Sequence, residues 1–468
     1  MPEAGVAAGD GRAGGAPGGG AAAEAARFVA GLRLGDVPQE VVQHALLVVR
    51  DTLGVLVGGS RQPENAAAAR MAVGLGGPGR SSVAGASEGT SAHVAAMLNA
   101  TSAVTLELDE GNQFALNHPA IHVLPAALAV AEEVGATSAQ FLEAFLCGYE
   151  VAVRFGAATR LRDQVHPFGT TAVVGAAAAG GKLHGLSEEE LRGCLLLAAG
   201  TAIASSQTAA NSGASVRNLA AGLTAHNGVL AVALHRAGFT GEERVFDRVF
   251  GEILGTEWRE EDVAFGQDDF FITRNYFKLH ACSRWNHAPI EAAGDLLRQG
   301  LSLDELERVR VWTYDPAVRL AAPFPKNGYA AKHSIPFNVA AALLWGSNDL
   351  VVFTDEAVRD PRILELQALI EVREDPGLTA LLPAVRPARV EAELRDGRTL
   401  TAYADRLPGG FDQPFSEDEL LAKFRRLAGM GLPRRRVDDL LRACTNLGSA
   451  PSIEPLTTIL RDVAPALR

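Results

Sequence analysis

The sequence predicts a mainly α-helical protein: a large all-helical domain formed by both chain ends, with a smaller α+β lid inserted between them. Three observations point there. Hydrophobic residues make up 47% and charged residues 21%, while Phe, Trp and Tyr together reach only 6% amid abundant alanine and glycine, a composition suited to closely packed small-residue helices. Apolar residues recur at spacings of three and four over the first half of the chain, with little alternation at two. That pattern gives way to alternating segments and then returns before the C-terminus, so the last stretch is expected to rejoin the first domain. At 468 residues the chain exceeds one ordinary core, and two domains are expected.

The elements follow in order. Residues 1–22, rich in Gly, Ala and Pro and lacking a basic-then-apolar leader pattern, read as a disordered tail. The helical domain is expected over 23–268, beginning with "AEAARFVAGLRL" and "PQEVVQHALLVVRDTLGVLVGG", in which Pro38 is a first-turn proline and Gly58 a stop. Further helices are read at "PENAAAARMAVGLGG", "TSAHVAAMLNATSAVTLEL", "SAQFLEAFLCGYEVAVRFGAAT", "SEEELRGCLLLAAGTAIASS" and "LTAHNGVLAVALHRAG". The α+β lid is expected over 269–407, with strands at 307–316, 368–375 and 388–407, the last a hairpin turning at Asp396 and Gly397, and a helix at "SIPFNVAAALLWG". Residues 408–468 complete the helical domain; there Ser416 and Glu419 have the spacing of a reciprocal helix cap.

Charge and cysteine usage narrow the function. A formal net charge of −12 without a basic block argues against nucleic acid or an anionic membrane surface as partner. No apolar run reads as long and uninterrupted enough to span a bilayer, and a cytoplasmic protein is expected. Cys147, Cys194, Cys282 and Cys444 stand far apart, as buried thiols in a reducing compartment would. "GLGGPG" at 74–79 matches a dinucleotide fingerprint in spelling only, because a helix rather than a strand precedes it; it reads as a turn.

Two His-Pro pairs, in "NHPAIH" and "VHPFGTT", open two Ala-rich helical segments. Alone, each is adequately explained by proline at the first helical position. His118 and His122 have the spacing of a metal pair, but no HExxH glutamate accompanies them and Pro125 follows, so no metal is expected. Together the pairs suggest chemistry, since each has polar company: "ELDEGNQ" precedes the first, and Asp109 or Glu110 could orient an imidazole and set its tautomer. Arg217 lies in a loop opening onto a helix. Lys278, His280, Arg284 and His287 cluster at the start of the smaller block, and Lys332, His333 and Ser334 precede a third helix entry. Taken singly, such cations are usually a solvated surface.

With these phrases in view, the sequence resembles the MmgE/PrpD family, through "ELDEGNQFALNHPAIHVLPAALAVAE", "HPFGTTAVVGAAAAGGKLHGLS", "FKLHACSRWNHAPIEAA" and "KHSIPFNVAAAL", in family order from about residue 25 onward. The resemblance implies a homodimer, a pocket between helical domain and lid, and chemistry beside the carboxylates of small polycarboxylic acids without metal or organic cofactor. It places an acidic element on Glu107 to Gly111, active-site histidines on His118 and His166, and the lid lysine on Lys278. The sequence departs from the family pattern in that Arg217 replaces a lysine, Ala220 a histidine, Phe337 a tyrosine, Glu107 an aspartate and Gly111 a threonine.

The reading these residues support is a cofactor-independent lyase, a hydro-lyase in the first instance, acting next to a carboxylate of a small anionic substrate. His118, His166, Asp109 and Lys278 are its catalytic candidates; Glu107, Arg217, His287, Lys332, Ser334 and Phe337 are its substrate-binding candidates. One histidine would take a proton and the other return one, with Arg217 and Lys278 stabilising the charge between those steps. Decarboxylation or epimerisation through the same carbanion, and a silent metabolite-binding relative, are the alternatives.

Overall fold

The computed structural model describes residues 20–266 and 269–464 and is mainly helical. Small residues let its long helices approach closely. Between Ser138–Ala157 and Ala172–Leu183, a Cβ added at Gly148 would lie 2.6 Å from the Gly175 carbonyl oxygen, and one added at Gly175 2.4 Å from that of Gly148. Backbone thus rests on backbone, which any side chain larger than hydrogen would prevent. Helices Ala92–Thr105, Pro119–Val134 and Val216–Arg236 pack around this pair.

The first large core draws residues from Val37 to Val463, and the Glu417–Ala428 helix lies against Gln39–Gly59. Ser416 and Glu419 make the reciprocal cap, as do Ser187 with Glu190 and Thr137 with Gln140. The second core belongs mostly to residues 281–407, yet takes in Val55, Leu106, Leu108 and Leu427. Its four-stranded sheet runs in the order Thr399–Ala404, Ala388–Leu394, Leu306–Thr313, Ile370–Glu374. Val390 faces Val311 in antiparallel register, while Val311 pairs with Val372 in parallel. A parallel pair needs a crossover, which the Ile335–Trp345 and Pro361–Ala368 helices provide.

Several local expectations are corrected. Pro38 precedes its helix as the cap residue, and Gly58 lies inside the helix rather than ending it, with Leu106 and Leu427 packed closely against it. At 21 residues with mean hydropathy 1.4, Gln39–Gly59 is long and apolar enough for a bilayer, contrary to expectation, although most of that stretch is buried within the protein. The expected tail lies outside the described residues except for 20–22, which begin the Gly20–Gly31 helix. The helix read through "TLEL" stops at Thr105, and that early end shapes the site.

Candidate active site

After Thr105 the chain turns sharply: Glu107 has φ of 58°, a left-handed conformation unusual for a side-chain-bearing residue. Two buried lysines hold this turn. Lys332 Nζ donates to the carbonyls of Thr105 and Leu106 at 3.4 and 2.9 Å. Lys423 donates to the Leu108 carbonyl at 2.7 Å and pairs with Asp51 at 2.7 Å. The last carbonyls of a helix have no partner within it, so cations here satisfy groups that the helix leaves open.

Beyond the turn, Gly111–Asn112 pairs antiparallel with Asn275–Tyr276, which brings the acidic loop beside Lys278. A Cβ at Gly111 would lie 2.4 Å from the Tyr276 hydroxyl oxygen and 3.1 Å from His118 Nδ1, so glycine is what admits both groups. Glu110 is an anchor: its carboxylate accepts the Ala120 N–H at 2.8 Å, in the first turn of the Pro119–Val134 helix, and the Tyr149 hydroxyl at 3.1 Å. Burial pushes this carboxyl up to about 8.

His118 caps that helix from outside it. Its Nδ1 lies 2.6 Å from Asp109 Oδ2 and 2.7 Å from the Glu110 carbonyl oxygen. With only acceptors around it, Nδ1 carries the proton of the neutral ring, and Nε2 keeps its lone pair. His166 has the opposite arrangement. Its Nδ1 accepts the Phe168 N–H at 3.1 Å, and Arg217 Nε–H points at its Nε2 from 3.4 Å, so both ring nitrogens face donors. Burial, reinforced by Arg217, holds His166 well below the usual histidine range and therefore neutral. Both rings line one cavity, of about 620 Å³ counting its open mouth.

The floor of this cavity is charge-balanced. Glu107 pairs with Arg217 through one oxygen and lies 3.3 Å from Lys278 Nζ through the other; Asp109 Oδ1 is 3.2 Å from the same Nζ. Burial alone would raise Glu107 and Asp109 and lower Lys278. The facing charges outweigh it, holding both carboxyls below and the ammonium above their ordinary values. Arg217 also stacks over Phe168 at 4.3 Å. The two cations expected to grip substrate are thus already matched by two carboxylates.

The structure brings together His118, His166, Glu107 and Arg217 at the cavity, with Asp109 and Lys278 buried directly beneath. Four binding candidates lie elsewhere. Lys332 is spent on the turn's carbonyls, and burial pushes its ammonium down to about 8. Ser334 caps its helix through the Phe337 N–H, 3.3 Å away, and donates to the Ala322 carbonyl at 2.8 Å. Phe337 is fully buried in the second core beside Phe353, so the hydroxyl it lacks is no loss to the cavity. His287 is buried behind Arg284, 3.1 Å from its guanidinium. His122 is packed inside its helix bundle, where burial lowers it to about 3.

Residues beyond the expected set complete the lining: Tyr276, Arg284, His333 and Arg386. Arg284 and His333 were visible as polar residues at helix entries. Arg386, in the apolar run "LLPAVRPARV", has no spacing that signals it. Among the described residues no group of three or more His, Cys, Asp or Glu side chains could hold a metal ion.

Fold and cavity together define a mainly helical protein with two imidazoles, one held by a carboxylate and one by an arginine, above a buried ion-pair network. The MmgE/PrpD N-terminal domain pattern matches residues 23–256 and the C-terminal domain pattern 280–447, and the chain belongs to the MmgE/PrpD family. It is 27% identical to the cis-aconitate decarboxylase-like protein oryM of Aspergillus oryzae, across 95% of this chain and 98% of that one. Cis-aconitate decarboxylase of Aspergillus terreus is 26% identical over 94% of this chain and 96% of its own. Mitochondrial 2-methylcitrate dehydratase of Yarrowia lipolytica is 27% identical over 40% of each. These named relatives are lyases.

Proposed function

We propose that this protein is a lyase of small polycarboxylic acids, in which charge develops on a carbon beside a carboxylate and the imidazole of His118 manages the proton. The observation that carries the reading is the setting of His118: Asp109 and the Glu110 carbonyl commit its Nδ1 as donor, which leaves Nε2 as the basic nitrogen of a ring that lines the cavity. His118 Nε2 then takes or returns a proton, while His166, kept neutral, lines the same cavity beside Arg217. Asp109 keeps the ring's orientation in both protonation states of His118.

Decarboxylation is the first assignment, supported by the names of the relatives that match over nearly the whole chain. In that direction the C–C bond to a carboxylate breaks, CO₂ leaves, and the electron pair remaining on carbon takes a proton from protonated His118. Dehydration, the sequence-based expectation, is the second reading, favoured by the Asp109–His118 pair, which presents Nε2 as a base. There Nε2 of His118 removes a proton from carbon and passes it to the departing hydroxyl, which leaves as water. No metal or organic cofactor enters either scheme.

NMR of the protein with cis-aconitate, 2-methylcitrate and a simple β-hydroxy acid in D₂O tests this. CO₂ release with deuterium on the product carbon supports the first assignment; a new alkene without CO₂ supports the second. Absence of turnover and of deuterium exchange across the panel refutes the lyase reading. His118→Ala is expected to lower turnover by roughly 10²- to 10⁴-fold with unchanged thermal unfolding. Near-wild-type turnover would remove His118 from the chemistry.

A further inference from the structure

Beside Tyr276 the cavity wall holds two arginines that no protein carboxylate matches. Arg284 and Arg386 line the cavity and are 7% and 6% exposed. Neither has a carboxylate oxygen within 4.0 Å among the described residues; Asp412 acts on Arg284 only from farther away. Arg284 bonds to neutral acceptors, the carbonyls of Pro408 and Leu407 at 3.3 and 3.4 Å and His287 Nδ1 at 3.1 Å. Arg386 donates to the Gln113 carbonyl at 3.1 Å. Both guanidinium groups lie by the ring of Tyr276, at 4.7 and 5.9 Å, so two like charges share one aromatic neighbour.

Burying a guanidinium without a counter-ion is costly, and burying two side by side adds repulsion. Burial, with Arg386 contributing, pushes Arg284 down to about 10, still charged at neutral pH. Backbone carbonyls and a π-face ease that cost without cancelling the charge. An anion entering the cavity would cancel it, and the planar donor fork of arginine suits a carboxylate. His333 also lines the cavity and is 5% exposed, but its charged neighbours are Glu107, Arg217 and Lys278, so it belongs with the floor.

We infer that Arg284 and Arg386 bind a second carboxylate of the substrate, away from the carbon at which His118 acts. The Tyr276 ring spans the two places: its centroid is 6.1 Å from that of His118, and the arginines lie over the same ring. This arrangement selects di- and tricarboxylates over monocarboxylates. It assigns substrate selection to residues that the Arg217 and Lys278 pairing leaves available. The inference deepens the lyase reading but does not need turnover to be tested.

The probe is propane-1,2,3-tricarboxylate, which has no leaving hydroxyl and no double bond, with butyrate as the one-carboxylate control. Binding to the full-length protein is followed by calorimetry and by fluorescence of Trp285, which lines the cavity. The wild type is expected to bind the tricarboxylate at least tenfold more tightly than butyrate. Arg386→Gln is expected to weaken tricarboxylate binding at least tenfold while changing butyrate binding less than twofold, and Arg386→Lys to recover part of the loss. If Arg284→Gln fails to fold through loss of its carbonyl contacts, the Arg386 pair still decides. Tricarboxylate affinity in Arg386→Gln within twofold of wild type overturns the inference, as does equal wild-type affinity for the two probes or no saturable binding of the tricarboxylate. Selective binding lost in Arg386→Gln, together with no turnover of any acid, would sustain this site and refute the lyase reading alone.

Discussion

Floor and wall of the cavity each hold two buried cations, but only the floor matches them. There Arg217 and Lys278 face Glu107 and Asp109, and every charge has a partner within 3.3 Å or closer. On the wall Arg284 and Arg386 have carbonyls and a tyrosine ring instead. The difference separates two uses of buried charge. A balanced network holds side chains in place, here Asp109 against His118. An unbalanced pair is tolerated only at some cost in stability, and that cost makes it a place for an anion from outside.

The sharpest way to break this comparison is to remove one charge from the floor. Lys278→Met leaves Glu107 and Asp109 with Arg217 alone, and a loss of about 3–5 kcal/mol in unfolding free energy is expected by urea titration. A loss below about 1 kcal/mol would mean that the network is not what holds the floor. Acid supplies an intermediate test, because it adds positive charge to the same neighbourhood. His122 and His333 are held to about 3 by burial, and His166 and His287 are also held below the ordinary histidine range. The unfolded chain therefore takes up protons near pH 6.5 that the folded protein refuses, so stability falls as pH drops below about 6.5. Glu110 works in the opposite sense between its unfolded value near 4.5 and about 8, so the variant must be compared with wild type. His122→Gln is expected to flatten the acid slope by about 1.4 kcal/mol per pH unit at most, read from denaturation midpoints across pH 6 to 4. An unchanged slope would mean His122 titrates in the fold. The smallest effect is expected on the wall: Arg386→Met should change stability by less than about 1 kcal/mol, or raise it, since the charge removed has no counter-ion to strand. A loss as large as that of Lys278→Met would erase the distinction between floor and wall.

Much of this was readable before any coordinates. The helix caps at Ser416 and Ser187 are local, because a hydroxyl and a carboxylate three residues apart satisfy the same free amides wherever the helix lies. The two His-Pro segments did meet at one cavity, as their polar company suggested. The errors arose where one sequence pattern served two purposes. "KHS" looked like a third set of binding groups, yet Lys332 closes a helix end and Ser334 caps another, both through backbone contacts that spacing does not reveal. Arg217 and Lys278 looked free because their partners are far away in sequence. Arg386 carries no signal in the sequence, because nothing near it along the chain hints at Tyr276.

The sequence by itself determined the helical class, the change to alternating strands near residue 306, the caps, and the histidine pair, all of which rest on interactions among near neighbours or on composition. Tertiary structure alone decided what each imidazole faces, since Asp109 and the Glu110 carbonyl meet Nδ1 of His118 while the Phe168 amide and Arg217 meet the two nitrogens of His166. It also decided which cations are spent and which remain available. Electrostatic balance depends on distance in space and on desolvation, and a chain acquires both only when remote segments pack together.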